Sequence, residues 1–116
     1  MLRVGDLASR VDWGFAPEYV EAMRAILQLS EPDDFVVASG NAHSVEEFVS
    51  SVFGYFDLDW REYVEEDPTI LFRQQPLKIG NSTKLTERTG ISLAHNLDEF
   101  VRLLVEDHIY RFSKEG

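Results

Sequence analysis

The chain has 116 residues, a formal net charge of −10 and 44% hydrophobic residues, which suits one folded domain over residues 1–116 and excludes two. The acidity argues against a nucleic-acid binder, whose surface carries a basic face, and reads as a soluble, solvated exterior. With no cysteine there is no disulfide, thiolate nucleophile or zinc-ribbon site. Residues 1–11 lack an apolar leader core, and no apolar run approaches the ~20 residues that span a bilayer. A soluble, cytoplasmic protein without a membrane partner is the expectation.

Leu2 to Leu7 reads as a short strand and Ser9 to Gly14 as a loop. Pro17 fits the first turn of a helix, where its missing N–H costs nothing, and Glu18 and Glu21 suit that positive end. Val20, Met23, Ile26 and Leu27 give this helix its apolar face up to about Leu29, before Ser30, Glu31 and Pro32 stop it. Phe35 to Ala38 is an apolar run between turn residues, the pattern of a buried strand. Ser44 with Glu47 forms a capping box. Behind it, Val45, Phe48, Val49, Val52, Phe53 and Phe56 make one broad apolar face, the strongest periodic signal in the chain.

Asp57 to Asp59 reads as a turn, and Trp60 to Tyr63 as a helical turn. Glu65-Glu66-Asp67-Pro68 reads as a solvated acidic link. Thr69 to Phe72 is β-prone. Pro76 limits the next few residues to an edge strand or loop, with Leu77 and Ile79 as a second edge piece. Asn81 or Ser82 caps a short helix to about Thr89, closed by Gly90. Asn96, with Glu99 three residues later, caps a last helix whose face is Leu97, Phe100, Val101, Leu104, Val105 and His108. The sum is an α+β chain of about four helices and three or four short strands, the helices dominating.

Three stretches together carry a resemblance: DWGFAPEYVEAM (Asp12 to Met23), EPDDFVVASGNAHSVEEF (Glu31 to Phe48) and LDWREYVEEDP (Leu58 to Pro68). In this order and spacing they resemble the C-terminal part of the GDP-mannose 4,6-dehydratase family, among the extended short-chain dehydrogenases/reductases. The likeness covers most of residues 5 to 73 and weakens towards the end. It implies the small substrate-binding lobe of such enzymes, without a complete Rossmann domain. It also implies that a full-length member uses NADP and removes water from GDP-mannose to give GDP-4-keto-6-deoxymannose.

That chemistry needs a glycine-rich strand–turn–helix for the dinucleotide and a Tyr-x-x-x-Lys pair for proton transfer. No two of the seven glycines are spaced for the first. Tyr110 and Lys114 fit the second formally, but read as a helical surface pair. The expectation is therefore no catalytic residue and no cofactor held by this chain. His43, His95 and His108 have no metal-ligand spacing. His43 reads as a structural hydrogen-bonder, His108 as a core-edge residue, and Trp13 and Trp60 as packing residues.

Two arginines are the candidate ligand contacts. The resemblance implies an arginine directly before Asp-Trp-Gly that pairs with the nucleotide diphosphate, as a guanidinium fork can. Here that place is Val11, and Arg10 stands one earlier. A second family arginine opens a Phe-Arg-Pro-Ala-Glu stretch. Phe72-Arg73 matches its start, then Gln74-Gln75-Pro76 departs from it. The expected ligand is GDP-mannose or a related sugar nucleotide. The expected macromolecular partner is a second copy or a cofactor-binding domain. The alternative is an interaction or oligomerisation module that has lost nucleotide-sugar binding.

Overall fold

A computed structural model describes residues 1–70, 76–93 and 95–115. They form four strands, β1 (Leu2–Val4), β2 (Arg10–Val11), β3 (His43–Ser44) and β4 (Val64–Glu66), and four helices, α1 (Ala16–Leu27), α2 (Val45–Tyr55), α3 (Thr83–Thr89) and α4 (Leu97–Glu115). The architecture is α+β and helix-dominated. The described strands pair only as β1 with β4 and β2 with β3, so they make no complete Rossmann sheet. No helix among the described residues is long and apolar enough to cross a membrane. The backbone groups into two compact units, Met1–Val11 with His43–Leu77 and Asn96–Gly116, and Asp12–Ala42 with Lys78–His95.

The first unit is built on α2 packed against α4. Val49, Phe100 and Val101 are buried, and the Phe48 and Phe100 rings lie 6.2 Å apart. The α2 N-terminus is closed completely. Glu47 N–H donates to Ser44 Oγ at 3.1 Å, and Ser44 N–H donates to Glu47 Oε2 at 2.9 Å. Val45 and Glu46 N–H donate to the carbonyls of Ser9 and Leu7 at 2.9 Å each. Donors that a helix start leaves unmatched are thus satisfied by the capping box and by the preceding chain. At the other end Phe53 stacks on Tyr63, ring centroids 5.4 Å apart, while Phe56, expected on the apolar face, is half exposed.

Four further expectations change in this unit. Glu65 and Glu66 belong to β4, parallel to β1 with Leu2 opposite Val64. They are held there: Arg3 Nε donates to Glu65 Oε1 at 3.0 Å and Leu7 N–H to Glu66 Oε2 at 2.9 Å. Glu65 and Glu66 are therefore strand residues and not a link, although both stay exposed to solvent, because Val64 is buried and fixes the register. Within the expected loop of residues 9–14, Arg10 and Val11 pair antiparallel with Ser44 and His43. Pro68–Ile70 is a 3₁₀ turn in place of a strand start, because Asp67 Oδ1 accepts from both Thr69 N–H and Thr69 Oγ1. The rest of the β-prone run, Leu71 and Phe72, lies outside the described residues. His108 is exposed, its ring 4.4 Å from that of Phe112, because α4 continues past the part that packs on α2.

The second unit joins α1 to α3 around Ala22, Leu85 and Leu93, with Tyr19, Ile26, Phe35, Val37 and Ile91 at the margin. The buried face of α1 is Tyr19, Ala22 and Ile26, so the helix is rotated from the expected face: Val20 and Met23 are exposed and Leu27 is 85% exposed. Ala22, at 0% exposure, lets α1 approach α3 closely, and that contact decides the rotation. Phe35 to Ala38 keeps the alternation of a half-buried strand, Phe35 and Val37 inward and Val36 outward, but joins no ladder among the described residues. The Leu77 and Ile79 piece is likewise outside any strand and half exposed. Asn81 Oδ1 accepts from Thr83 N–H at 3.0 Å, and Gly90 ends α3 at φ +77°, as expected. Lys84 is tied across to Asp33 Oδ2 at 2.8 Å and to the Asp34 carbonyl at 2.9 Å.

Candidate functional site

Arg10 sits on β2 opposite Ser44. Neighbouring residues of an extended strand face opposite ways, so moving the arginine one place from Val11 to Arg10 turns it to the other face. Its charge acts on Glu47. That carboxylate is held below its ordinary value chiefly by the Ser44 N–H, then by the His43 side chain and by Arg10. His43 Nδ1 lies 3.3 Å from Glu47 Oε2, a structural hydrogen bond of the expected kind. Arg10, His43, Ser44 and Glu47 thus form one polar cluster at the start of α2. Arg73, the other candidate, lies outside the described residues.

A groove of about 860 Å³ runs beside α2 and the first turns of α4, with Ser50, Gly54, Trp60, Arg61, Asp98 and Arg102 on its walls. Several of its polar groups have partners within the unit: Ser51 Oγ donates to Asp98 Oδ1 at 2.6 Å, Arg102 lies 3.6 Å from Glu106, and Arg61 lies 5.2 Å over the Trp60 ring. Tyr110 and Lys114 make an exposed contact along α4, with Lys114 Nζ 4.7 Å from the ring centroid. Among the described residues no three His, Asp or Glu side chains cluster to hold a metal ion.

Sequence reasoning missed the densest polar centre, which belongs to the second unit. The Asp12 carboxylate accepts from the Ser39 hydroxyl, from Ser39 N–H at 3.2 Å, from Gly40 N–H at 3.0 Å and from Gly80 N–H at 3.3 Å. Tyr19 packs beside it. Its ring lies so close to Gly14 that a Cβ there would come within 2.1 Å of the ring. Burial, and then the Asp12 charge, push the Tyr19 phenol above its ordinary value, against a lowering by the Ser39 N–H. Glu18 and His95 meet at 2.5 Å in the same unit. The donors to Asp12 are 27 to 68 residues away in sequence, so no local spacing announces them. In the sequence Asp12 stands only as one letter of the Asp-Trp-Gly stretch.

The sequence profile described as GDP-mannose 4,6 dehydratase matches residues 1–103. The chain belongs to the GDP-mannose 4,6-dehydratase family. GDP-mannose 4,6 dehydratase 2 of Arabidopsis thaliana is 36% identical over 98% of this chain and 31% of its own length. The human GDP-mannose 4,6 dehydratase is 54% identical over a shorter stretch, 43% of this chain and 13% of its own. The chain spans about a third of the length of the two Arabidopsis relatives.

Among solved structures, RMD from Pseudomonas aeruginosa complexed with NADPH superposes with a TM-score of 0.76 at 19% identity, covering 95% of this chain and 35% of that one. dTDP-glucose 4,6-dehydratase from Bacillus anthracis in complex with NAD gives 0.68 at 14% identity, covering 88% and 33%. At these identities the likeness is one of fold, and it covers about a third of each of those chains.

Proposed function

We propose that this chain is the sugar-nucleotide-binding part of a GDP-mannose 4,6-dehydratase-type protein, and that by itself it supplies no cofactor site and no catalytic group. The observation that carries the reading is the family match over residues 1–103, which includes both candidate arginines. Arg73 pairs with the diphosphate of GDP-mannose, and Arg10, one place from the family position, is the second candidate contact.

The residues present do not fit NADP. Among the described residues no strand leads through closely spaced glycines into a helix. The α2 N-terminus, the natural place for a pyrophosphate, has its N–H groups taken by Ser9, Leu7 and Ser44. On this reading the Tyr/Lys pair and NADP belong to a cofactor-binding partner domain. A calorimetric titration with GDP-mannose at low salt tests the proposal. Saturable binding weakened by Arg10→Ala and by Arg73→Ala is expected, and no heat at millimolar ligand overturns it.

One observation favours a second reading, an interaction module: Val20, Met23 and Leu27 line an exposed apolar stripe on α1, and such stripes mark association surfaces.

A further inference from the structure

The groove beside α2 has aromatic walls and an open floor. Trp60 is half-buried, and Tyr55 stands exposed at the end of α2. The turn that carries Trp60 is fixed locally: Asp59 Oδ1 accepts from Arg61 N–H at 3.1 Å, and the Arg61 guanidinium lies over the indole. The floor is α2 itself from Glu47 to Gly54, roughly 10 Å of helix. Gly54 is the informative residue. It lies inside α2, its φ is not positive, and a Cβ built on it would meet nothing within 4 Å. Neither backbone conformation nor packing demands glycine there, and glycine weakens a helix relative to other residues. What the missing side chain leaves is space in which a ligand can approach the helix backbone.

The polar groups of the groove select the class of ligand. Its arginines are compensated, Arg61 lying 3.4 Å from Asp59 and Arg102 3.6 Å from Glu106. In a chain of net charge −10 such a groove offers an anion no excess positive potential. Asp98 is occupied in turn by the Ser51 hydroxyl. The Ser50 and Tyr55 hydroxyls, by contrast, have no hydrogen-bond partner among the described residues. Aromatic faces suit the C–H side of a pyranose, and free hydroxyls and paired planar groups exchange hydrogen bonds with vicinal sugar hydroxyls. We propose that this groove binds a neutral saccharide of about two linked pyranose rings, seated against Trp60 and Tyr55 and admitted by the bare backbone at Gly54. The proposal uses neither Arg10 nor Arg73, and it stands or falls independently of the proposed function.

The test is a chemical-shift titration of the full chain with mannobiose and with maltose, at about 0.15 M salt, beside Gly54→Leu and Tyr55→Ala. Leucine is a better helix former than glycine, and its Cβ has open space at this position. Gly54→Leu should therefore unfold at a urea concentration no lower than wild type while it fills the floor of the groove. Tyr55→Ala removes an exposed ring and is the second probe of the same site. The expected result is saturable shifts at Ser50, Gly54 and the Trp60 indole N–H with at least one of the sugars, with affinity weakened about tenfold or more in both variants. The proposal is overturned by the absence of saturable shifts with either sugar, or by unchanged affinity in both variants. Tighter binding of inorganic phosphate or of trilysine than of either sugar also overturns it, since the groove would then be selecting charge.

Discussion

Asp57 carries a backbone φ of +58°, immediately past the end of α2. Its N–H donates to the Gly54 carbonyl at 3.1 Å, and the next N–H, of Leu58, donates to Phe53 at 2.9 Å. This is the Schellman closure of a helix, with an aspartate at the position glycine usually fills. A side chain in the left-handed region costs about 1 kcal/mol or more. Asp57→Gly should therefore raise stability by up to about 1 kcal/mol, read as a higher urea midpoint at unchanged slope; a lower midpoint would contradict this. The sequence showed a turn at Asp57 to Asp59 but not this device, because aspartate is also an ordinary turn residue. The caps at Ser44, Asn81 and Asn96 were legible because each side chain accepts from an N–H two or three residues ahead. Asp12 was not, since its partners are brought to it only by the fold.

The helices illustrate the same division at the scale of elements. Periodicity and capping residues located the starts of all four and the ends of α1, α2 and α3 to within about two residues, whereas the face read on α4 stops at His108 and the helix runs on to Glu115; on α2 periodicity also found the buried face. On α1 it did not. A pattern weighted by large apolar side chains selects Val20, Met23 and Leu27, whereas the core uses Ala22 for close approach. The short strands were least legible. β2 and β3 are two residues each, too few for alternation to show, and β4 reads as an acidic run because its outer residues are Glu65 and Glu66. The stripe left bare on α1 has a consequence. In 0.15 M salt, where a Debye length of about 8 Å screens the net charge, light scattering should report a mass above that of one chain as concentration rises. Met23→Lys should return it to one chain. A single-chain mass at every concentration would show that the stripe drives no self-association.

The whole molecule is strongly acidic, and several of its carboxylates are committed to the fold. Asp33 is held below its ordinary value chiefly by Lys84, Glu47 by the Ser44 N–H, and Asp67 by the Thr69 hydroxyl. Folded-state pKa values below the unfolded ones mean that the unfolded chain binds more protons on acidification. Their contribution is full above the ordinary carboxylate range, about pH 4, and is lost as pH falls through the lowered folded values. Urea unfolding between pH 7 and pH 3 should show stability falling only below about pH 4.5, and a flat profile would contradict this role for the three groups. The central claim, that the chain binds the diphosphate of a sugar nucleotide, is tested most directly by calorimetric titration of wild type and Arg73→Ala with GDP-mannose and with GDP at low salt. Saturable binding of both ligands, weakened roughly ten- to a hundredfold by the substitution, as loss of charged hydrogen bonds predicts, is the expected result. Binding that is absent in the wild type, or unchanged in Arg73→Ala, would contradict it.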